Sequence, residues 1–434
     1  MSKKHYIPKP VFDTLDEVEQ LYKTVESANK PLQPVKQWLV HCLNLSATEF
    51  PNYLPKDYLH VLRFLYNYRG SKDTFSSYRR ELERLLQWSW FIREKSVLKL
   101  KRQDIEAFIE FCIKPYKRWI SLKKSTRFQM VNGEKVPHPD WRPFEARLSK
   151  QDNKAGNTAT KDDYQVSQAG IKAIFAILSS FYNYLMQDEI TLMNPVALIR
   201  QKSKFIRKEA TQPVIRRLSE KQWNTIMSIA RNRANRNKDY ERDIFILSCL
   251  YGMYLRISEL ITNEQWAPTM GDFIQDNDKN WWFKTVSKGN KARQIAVSDA
   301  MLTALKHYRT EYLELPPYPS PNERTPLIGH KKNPSQPITS DYTIRLLVQS
   351  YFDAASEILA NQGDELEANN LKSATVHWLR HTGISEDVKH RPREHVRDDA
   401  GHSSSAITDR YIDVELKARA KSAKEKIISQ DDKE

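Results

Sequence analysis

Cysteine is scarce in this chain of 434 residues: Cys42, Cys112 and Cys249 stand far apart. That excludes a disulfide framework and a cysteine-rich zinc cluster, and it suits a reducing cytoplasm. Long apolar runs are missing too. The most apolar stretch, Ile244 to Leu255, contains Ser248 and Gly252 and is too short to span a bilayer, so it reads as a buried helix. The opening Met1-Ser2-Lys3-Lys4-His5 has no apolar segment, and no secretory signal is expected. Internal repeats and low-complexity tracts are absent. Acidic residues are outnumbered, leaving a formal net charge of +15. Such a balance fits a protein that holds a polyanion, although ribosomal and membrane-surface proteins share it.

What is present is concentrated in the second half. Arg256 lies within Leu255-Arg256-Ile257-Ser258-Glu259-Leu260, followed much later by His377-x-x-Arg380-His381, Gly401-His402 and Tyr411. This set can hold a phosphodiester while a phenol attacks it. A phosphodiester under attack gains charge on its non-bridging oxygens, and two planar, permanently charged guanidinium forks match those oxygens without a metal. Imidazoles add hydrogen bonds or move protons near neutral pH. Tyrosine forms covalent intermediates, but its pKa near 10 requires a cationic surrounding or a base. On a helix, His377, Arg380 and His381 project from one face. Gly401-His402-Ser403-Ser404 caps a short helix or turn that carries the tyrosine back. Taken singly, each of these residues is most simply a surface charge or a rim aromatic. The ordered combination is what points to chemistry.

Between Arg256 and His377, the run Trp281 to Val297 contains two β-prone segments around Lys288-Gly289-Asn290-Lys291, a hairpin signal. A lysine at that turn either meets solvent and phosphate or, with its pKa lowered by nearby arginines, donates a proton to a leaving alkoxide.

Together these motifs resemble the catalytic domain of the tyrosine recombinases, the phage-integrase family, from about Leu218 to about Val414. The resemblance implies Tyr411 as nucleophile, Arg256 and Arg380 as the paired arginines, Lys288 as the hairpin lysine and general acid, and His377 and His402 at the remaining catalytic positions. It places His381 and Glu259 in support. It also implies a 3′-phosphotyrosine intermediate, strand exchange between two DNA duplexes by a homo-tetramer, no cofactor or metal, and a prokaryotic or phage setting with integration or excision of a mobile element. Two departures stand out: Tyr254 occupies a position where the family usually has a small residue, often Gly, and Ala400 one where Leu is usual. The run Lys389 to His395 is also more polar than the family's helix there. Alternatives from other classes are a type IB topoisomerase-like enzyme and a non-catalytic DNA-binding protein on the same scaffold.

The expected architecture is mainly α with a small β-hairpin or sheet in the catalytic domain. By resemblance it is a two-domain DNA clamp, a helical core-binding domain plus a mixed α/β catalytic domain. Residues 1–65 read as a helical N-terminal extension, with helices over Leu15–Val25 and Leu32–Leu43. Residues 66–200 read as the all-helical core-binding domain, with a helix after an Asp73-Thr74 cap, others over Ile105–Cys112 and Ile171–Met186, and a polar surface insertion over about 126–165. Trp88, Trp90 and Phe91 read as core. A basic linker over 201–218 leads into a capping box at Ser219-Glu220-Lys221-Gln222 and the catalytic domain, 219–414. The charged tail 415–434 is expected to dock on a neighbouring protomer. Candidate phosphate contacts are Lys101, Arg102, Lys117, Arg118, Lys202, Lys204, Arg207, Lys291 and Arg293. Base readout, any accessory DNA-bending proteins, and cleavage in cis or in trans stay open.

Overall fold

The computed structural model describes residues 6–45, 51–197, 199, 204–206, 216–287, 291–402, 404–409, 411 and 423. The chain divides into two compact units, Met1–Ala210 and Thr211–Glu434. Each is mainly helical with small sheets.

The first unit contains α1 (Leu15–Ser27), α2 (Leu32–Leu43), α3 (Tyr53–Tyr66), α4 (Lys72–Trp88), α5 (Arg102–Ile113), a short α6 (Lys150–Lys154) and α7 (Gln168–Gln187). Phe75, Leu82, Leu85 and Leu86 recur along one stripe of α4 and are all buried. The helix is capped by Ser71, whose hydroxyl accepts from the Thr74 N–H, two residues before the expected Asp73-Thr74 cap. Trp88 and Trp90 are core, and Phe91 stacks on Tyr6 at the edge of that core. Among the described helices, α7 is long and apolar enough to cross a bilayer. Its Ile171, Phe175, Leu178 and Phe181 are buried, and it packs on α3 and α4. All three cysteines are free and buried.

Two expectations need correction. Residues 1–65 are helical but form no separate extension: α1 to α3 share one hydrophobic core with α4, α5 and α7. The tie is the carboxylate of Glu83 on α4, only 1% exposed. It accepts from the Val11 N–H at 2.7 Å, from the Phe12 N–H at 3.2 Å, and from the Arg127 guanidinium. Arg127 also reaches Phe12 O at 2.8 Å and lies over the Trp141 ring. Nor is the stretch over 126–165 a loose insertion in an all-helical domain. Its strands β2 (Phe128–Val131) and β3 (Glu134–Pro137) pair antiparallel across Asn132-Gly133, while β1 (Ile120–Ser121) and β4 (Phe144–Glu145) pair in parallel. Asn132 and Gly133 both adopt positive φ, as a two-residue hairpin turn requires. Phe128, Trp141 and Phe144 are buried.

The second unit contains α8 (Glu220–Arg236), α9 (Glu241–Gly252), α10 (Ile257–Leu260), α11 (Asp299–His307), α12 (Asp341–Asn361), α13 (Glu365–Ser373), α14 (Val376–Asp387), α15 (Arg393–Ala400) and α16 (Ser405–Asp409). The capping box at Ser219 and Gln222 is present, and the apolar run reads out as α9, with Phe245, Ile246, Cys249 and Leu250 buried. A three-stranded antiparallel sheet orders β5 (Phe273–Gln275), β6 (Trp281–Ser287) and β7 (Lys291–Ala296). A small hairpin, β8 (Gly329–His330) with β9 (Asn333–Pro337), lies apart from it. Helix α14 crosses α9 closely: a Cβ at Gly383 would sit 2.0 Å from Tyr251 O, so only glycine fits there. At the entry to this unit, the Leu218 N–H donates to Thr382 Oγ1 on α14 at 2.9 Å.

If Glu83 is what binds the N-terminal segment and the hairpin region into the first core, Glu83→Ala strands buried donors and a guanidinium. Breaking a buried pair on one side costs about 3–5 kcal/mol. Urea denaturation followed by circular dichroism should show a lowered first transition, and an unchanged midpoint contradicts the assignment.

Candidate phosphate-binding and nucleophile site

The site gathers at the ends of short elements in the second unit. Arg380 and its neighbours stand on α14. Because His377, Arg380 and His381 are at i, i+3 and i+4, the helix presents them together, with the His377 and His381 rings edge to face at 4.4 Å.

Arg380 is 2% exposed. Its Nη1 donates to Tyr254 O, and its Nη2 donates to Ala400 O at 2.5 Å. Ala400 ends α15, where unpaired carbonyls favour a cation, and Tyr254 lies two residues beyond the end of α9. Both carbonyls lie next to a left-handed backbone turn: Tyr254 has φ 50 and Gly401 has φ 64. For a bulky residue that conformation costs about 1–2 kcal/mol. Tyr254 is nonetheless held: its ring is buried and its hydroxyl donates to Asp387. Arg380 hydrogen-bonds no carboxylate among the described residues. Burial, then the charges of Arg256 and Arg293, pull its pKa down to about 9.

Arg256 caps α10. Its backbone N–H donates to Glu259 Oε2 at 2.8 Å and its Nη1 to Glu259 Oε1 at 3.0 Å. The same carboxylate, 1% exposed, takes two parallel bonds from Arg293, at 3.1 and 3.0 Å. Arg293 was expected to be a DNA contact on the hairpin. The structure turns it inward instead, with its side chain only 8% exposed. The reason is strand parity: Arg293 pairs with Thr285 and Ile295 with Phe283, so Arg293 shares the buried face of β7. Its guanidinium rests on Gly401, where a Cβ would come within 2.6 Å of Nη1.

Tyr411 is 7% exposed. Its hydroxyl lies 2.5 Å from His381 Nδ1, and its ring stacks on His402 at 5.6 Å and 18°. His402 Nδ1 is 2.9 Å from Thr408 Oγ1 on α16. Burial, followed by His377, Arg380 and His402, drives the His381 pKa down to about 4. Burial and the arginines do the same for His402, also to about 4, and lower His377. All three imidazoles are therefore neutral at pH 7. With its ring neutral, Nδ1 of His381 is placed to accept the phenol proton.

The structure thus brings together Arg256, His377, Arg380, His381, His402, Tyr411 and Glu259, and adds Arg293. Lys288 falls outside the described residues, as do Lys202, Arg207 and the tail 415–434 apart from Ala423. Lys291 is exposed at the start of β7. In the first unit, Lys101 is exposed, Arg102 pairs with Glu106 at 3.0 Å, Lys117 with Asp162 at 2.8 Å, and Lys204 with Glu110 at 2.9 Å. Arg118 is half-buried and donates to Tyr6 O at 2.9 Å, so it anchors the chain's first described residue rather than facing outward. Among the described residues no group of three or more His, Cys, Asp or Glu is arranged to hold a metal ion. Sequence reasoning overlooked Thr408 and the carboxylates Asp387 and Asp399; none carries a motif signal of its own.

Residues 216–417 match the model of the phage integrase family. This stretch, just under half of the chain, is similar to the phage integrase family. A stretch of 200 residues, 44% of this chain, is 24% identical to a protein named tyrosine recombinase XerC from Chlorobaculum parvum. That match spans about half the length of this relative, 53%. The structure of XerH site-specific recombinase bound to palindromic difH substrate, a post-cleavage complex, aligns over 97% of this chain and 98% of its own. The TM-score is 0.52 at 13% identity, which marks a shared fold.

The neutral histidines make a pH prediction for the DNA-free protein. In the folded chain His381 and His402 stay neutral down to about pH 4, whereas in the unfolded chain they protonate near 6.5. Protonation therefore favours unfolding. Their contribution to stability is full above about pH 6.5 and is lost as pH falls from there towards 4. The thermal midpoint should drop across that window, and the drop should be shallower in His381→Gln/His402→Gln. Equal slopes in the two proteins contradict neutral burial of the imidazoles.

Proposed function

We propose that this protein is a site-specific DNA recombinase that cleaves and rejoins DNA through a 3′-phosphotyrosine. The observation that carries the reading is a cluster of guanidiniums beside a phenol: Arg256 and Arg293 share the carboxylate of Glu259, the charges of both act on the buried Arg380, and Tyr411 stands next to His381, which shares a helix face with Arg380. A phosphodiester has the charge and the oxygens to match such a cluster. The match of residues 216–417 to the phage integrase family and the name of the XerC relative support the same reading.

In this mechanism Arg380 and Arg256 bind the non-bridging oxygens, with His402 and His377 adding hydrogen bonds. Their donors are preorganised, so the charge that develops at phosphorus meets fixed dipoles. Arg293 and Glu259 hold Arg256 in place. Tyr411 Oη forms a bond to phosphorus as the P–O5′ bond breaks, and the phenol proton passes to the His381 side. The leaving 5′-oxygen takes a proton from Lys288, a role that rests on the sequence resemblance. One phosphodiester is exchanged for a phosphotyrosine ester of similar energy, so ATP is not required. Attack by a 5′-hydroxyl from a second duplex reverses the step and exchanges strands. Two duplexes call for four protomers, and insertion or excision of a mobile element is the setting proposed.

The test uses nicked suicide duplexes taken from the DNA flanking the gene, with a randomised inverted-repeat pool alongside. A covalent protein–DNA band on a denaturing gel is expected for the wild type and none for Tyr411→Phe. Arg380→Ala should slow band formation by about 10²–10³-fold, as loss of one preorganised donor does. A band that survives Tyr411→Phe, or no wild-type band from either source, overturns the assignment. A plasmid-relaxation assay identifies a topoisomerase if supercoils relax without strand exchange.

A further inference from the structure

We propose that Tyr254 and Arg391 are positioning residues that hold the two carbonyls gripping Arg380 and thereby aim its guanidinium. The proposal rests on the strand-transfer reading above and adds parts that none of the motifs contains. Tyr254 O and Ala400 O come from segments far apart in sequence, the exit of α9 and the end of α15. Two carbonyls fix the plane of a guanidinium only if they are fixed relative to each other.

A chain of polar side chains links them. The Tyr254 hydroxyl donates to Asp387 Oδ2 at the end of α14. Arg391 Nη1 donates to that same oxygen at 3.1 Å and to Tyr254 Oη at 3.1 Å. Arg391 Nη2 donates to Asp399 Oδ2 at 2.5 Å. Asp399 immediately precedes Ala400, and its other oxygen accepts from the Ala296 N–H of β7 at 3.2 Å. The ring is therefore closed: Arg380, Tyr254, Asp387 with Arg391, Asp399, Ala400, Arg380. Only arginine has the fork to span both carboxylates at once.

The backbone argues the same way. A left-handed residue after a helix is easiest as glycine, and a small residue, often Gly, is what the resemblance leads one to expect at 254. Here a tyrosine occupies φ 50, with its ring buried and its phenol bonded to Asp387 and Arg391. Burial and the neighbouring Asp387 raise the phenol's pKa, so it remains a donor. The polar run that sets this chain apart, Lys389 to His395, supplies Arg391.

The experiment compares wild type, Tyr254→Phe, Arg391→Gln and the double variant on a nicked duplex that the wild type cleaves. Three quantities are read: the single-turnover rate of adduct formation at saturating DNA, the DNA dissociation constant, and the thermal midpoint. Each single variant should cleave about 10- to 100-fold more slowly, the scale of a small misplacement of a reacting group, with DNA affinity within about two-fold. The double variant should be no slower than the slower single, as expected for residues acting through one connection. Normal cleavage rates in both singles overturn the proposal. So does a loss that follows the dissociation constant or the thermal midpoint, or one that is additive in the double variant. If the wild type forms no adduct at all, the strand-transfer reading itself fails and this proposal falls with it.

Discussion

The second unit is organised around a buried cation. Arg380 has left water without a hydrogen-bonded carboxylate among the described residues and is held by two backbone carbonyls. Burying a charge in this way is unfavourable unless something compensates it. Here the compensation is partial: the C-terminus of α15 faces the guanidinium, and Glu259 lies near but is already bonded to Arg256 and Arg293. The remainder is left for an anion. This one constraint explains much around it. It accounts for the left-handed residues at 254 and 401, which turn their neighbouring carbonyls inward. Burial first, and then neighbouring guanidiniums and imidazoles, lower the pKa values of His377, His381 and His402.

A neutral imidazole has a use here. With Nδ1 unprotonated, His381 can take the hydrogen bond of the Tyr411 phenol, while His402 stacks on the phenol ring. An anion seated on the arginines would relieve the crowding of positive charge around them.

Much of this site was legible in the sequence because short helical spacings translate directly into geometry. His377-x-x-Arg380-His381 has one outcome on a helix, and the Ser219–Gln222 capping box marks a helix start by its own chemistry. Long-range pairing was harder to read. Arg293 looked like a hairpin surface charge, although its parity with Ile295 on β7 was the available sign that it points inward. Asn132-Gly133 was likewise a hairpin turn in plain view, hidden by the polar composition around it. Glu83 gave no local sign at all, since its partners Val11, Phe12 and Arg127 are distant in sequence. The link from Tyr254 to Asp399 belongs to the same class: its members meet only once α9, α14 and α15 have packed. Tyr254 and the run Lys389 to His395 could be seen as unusual, but what they do depends on the fold.

The central claim is that Tyr411 attacks a phosphate seated on these arginines. Mass spectrometry of the protease-digested protein–DNA adduct tests it most directly. The account predicts a peptide carrying a nucleotide joined through its 3′-phosphate to Tyr411. A nucleotide attached to any other residue, or linked through a 5′-phosphate, contradicts it.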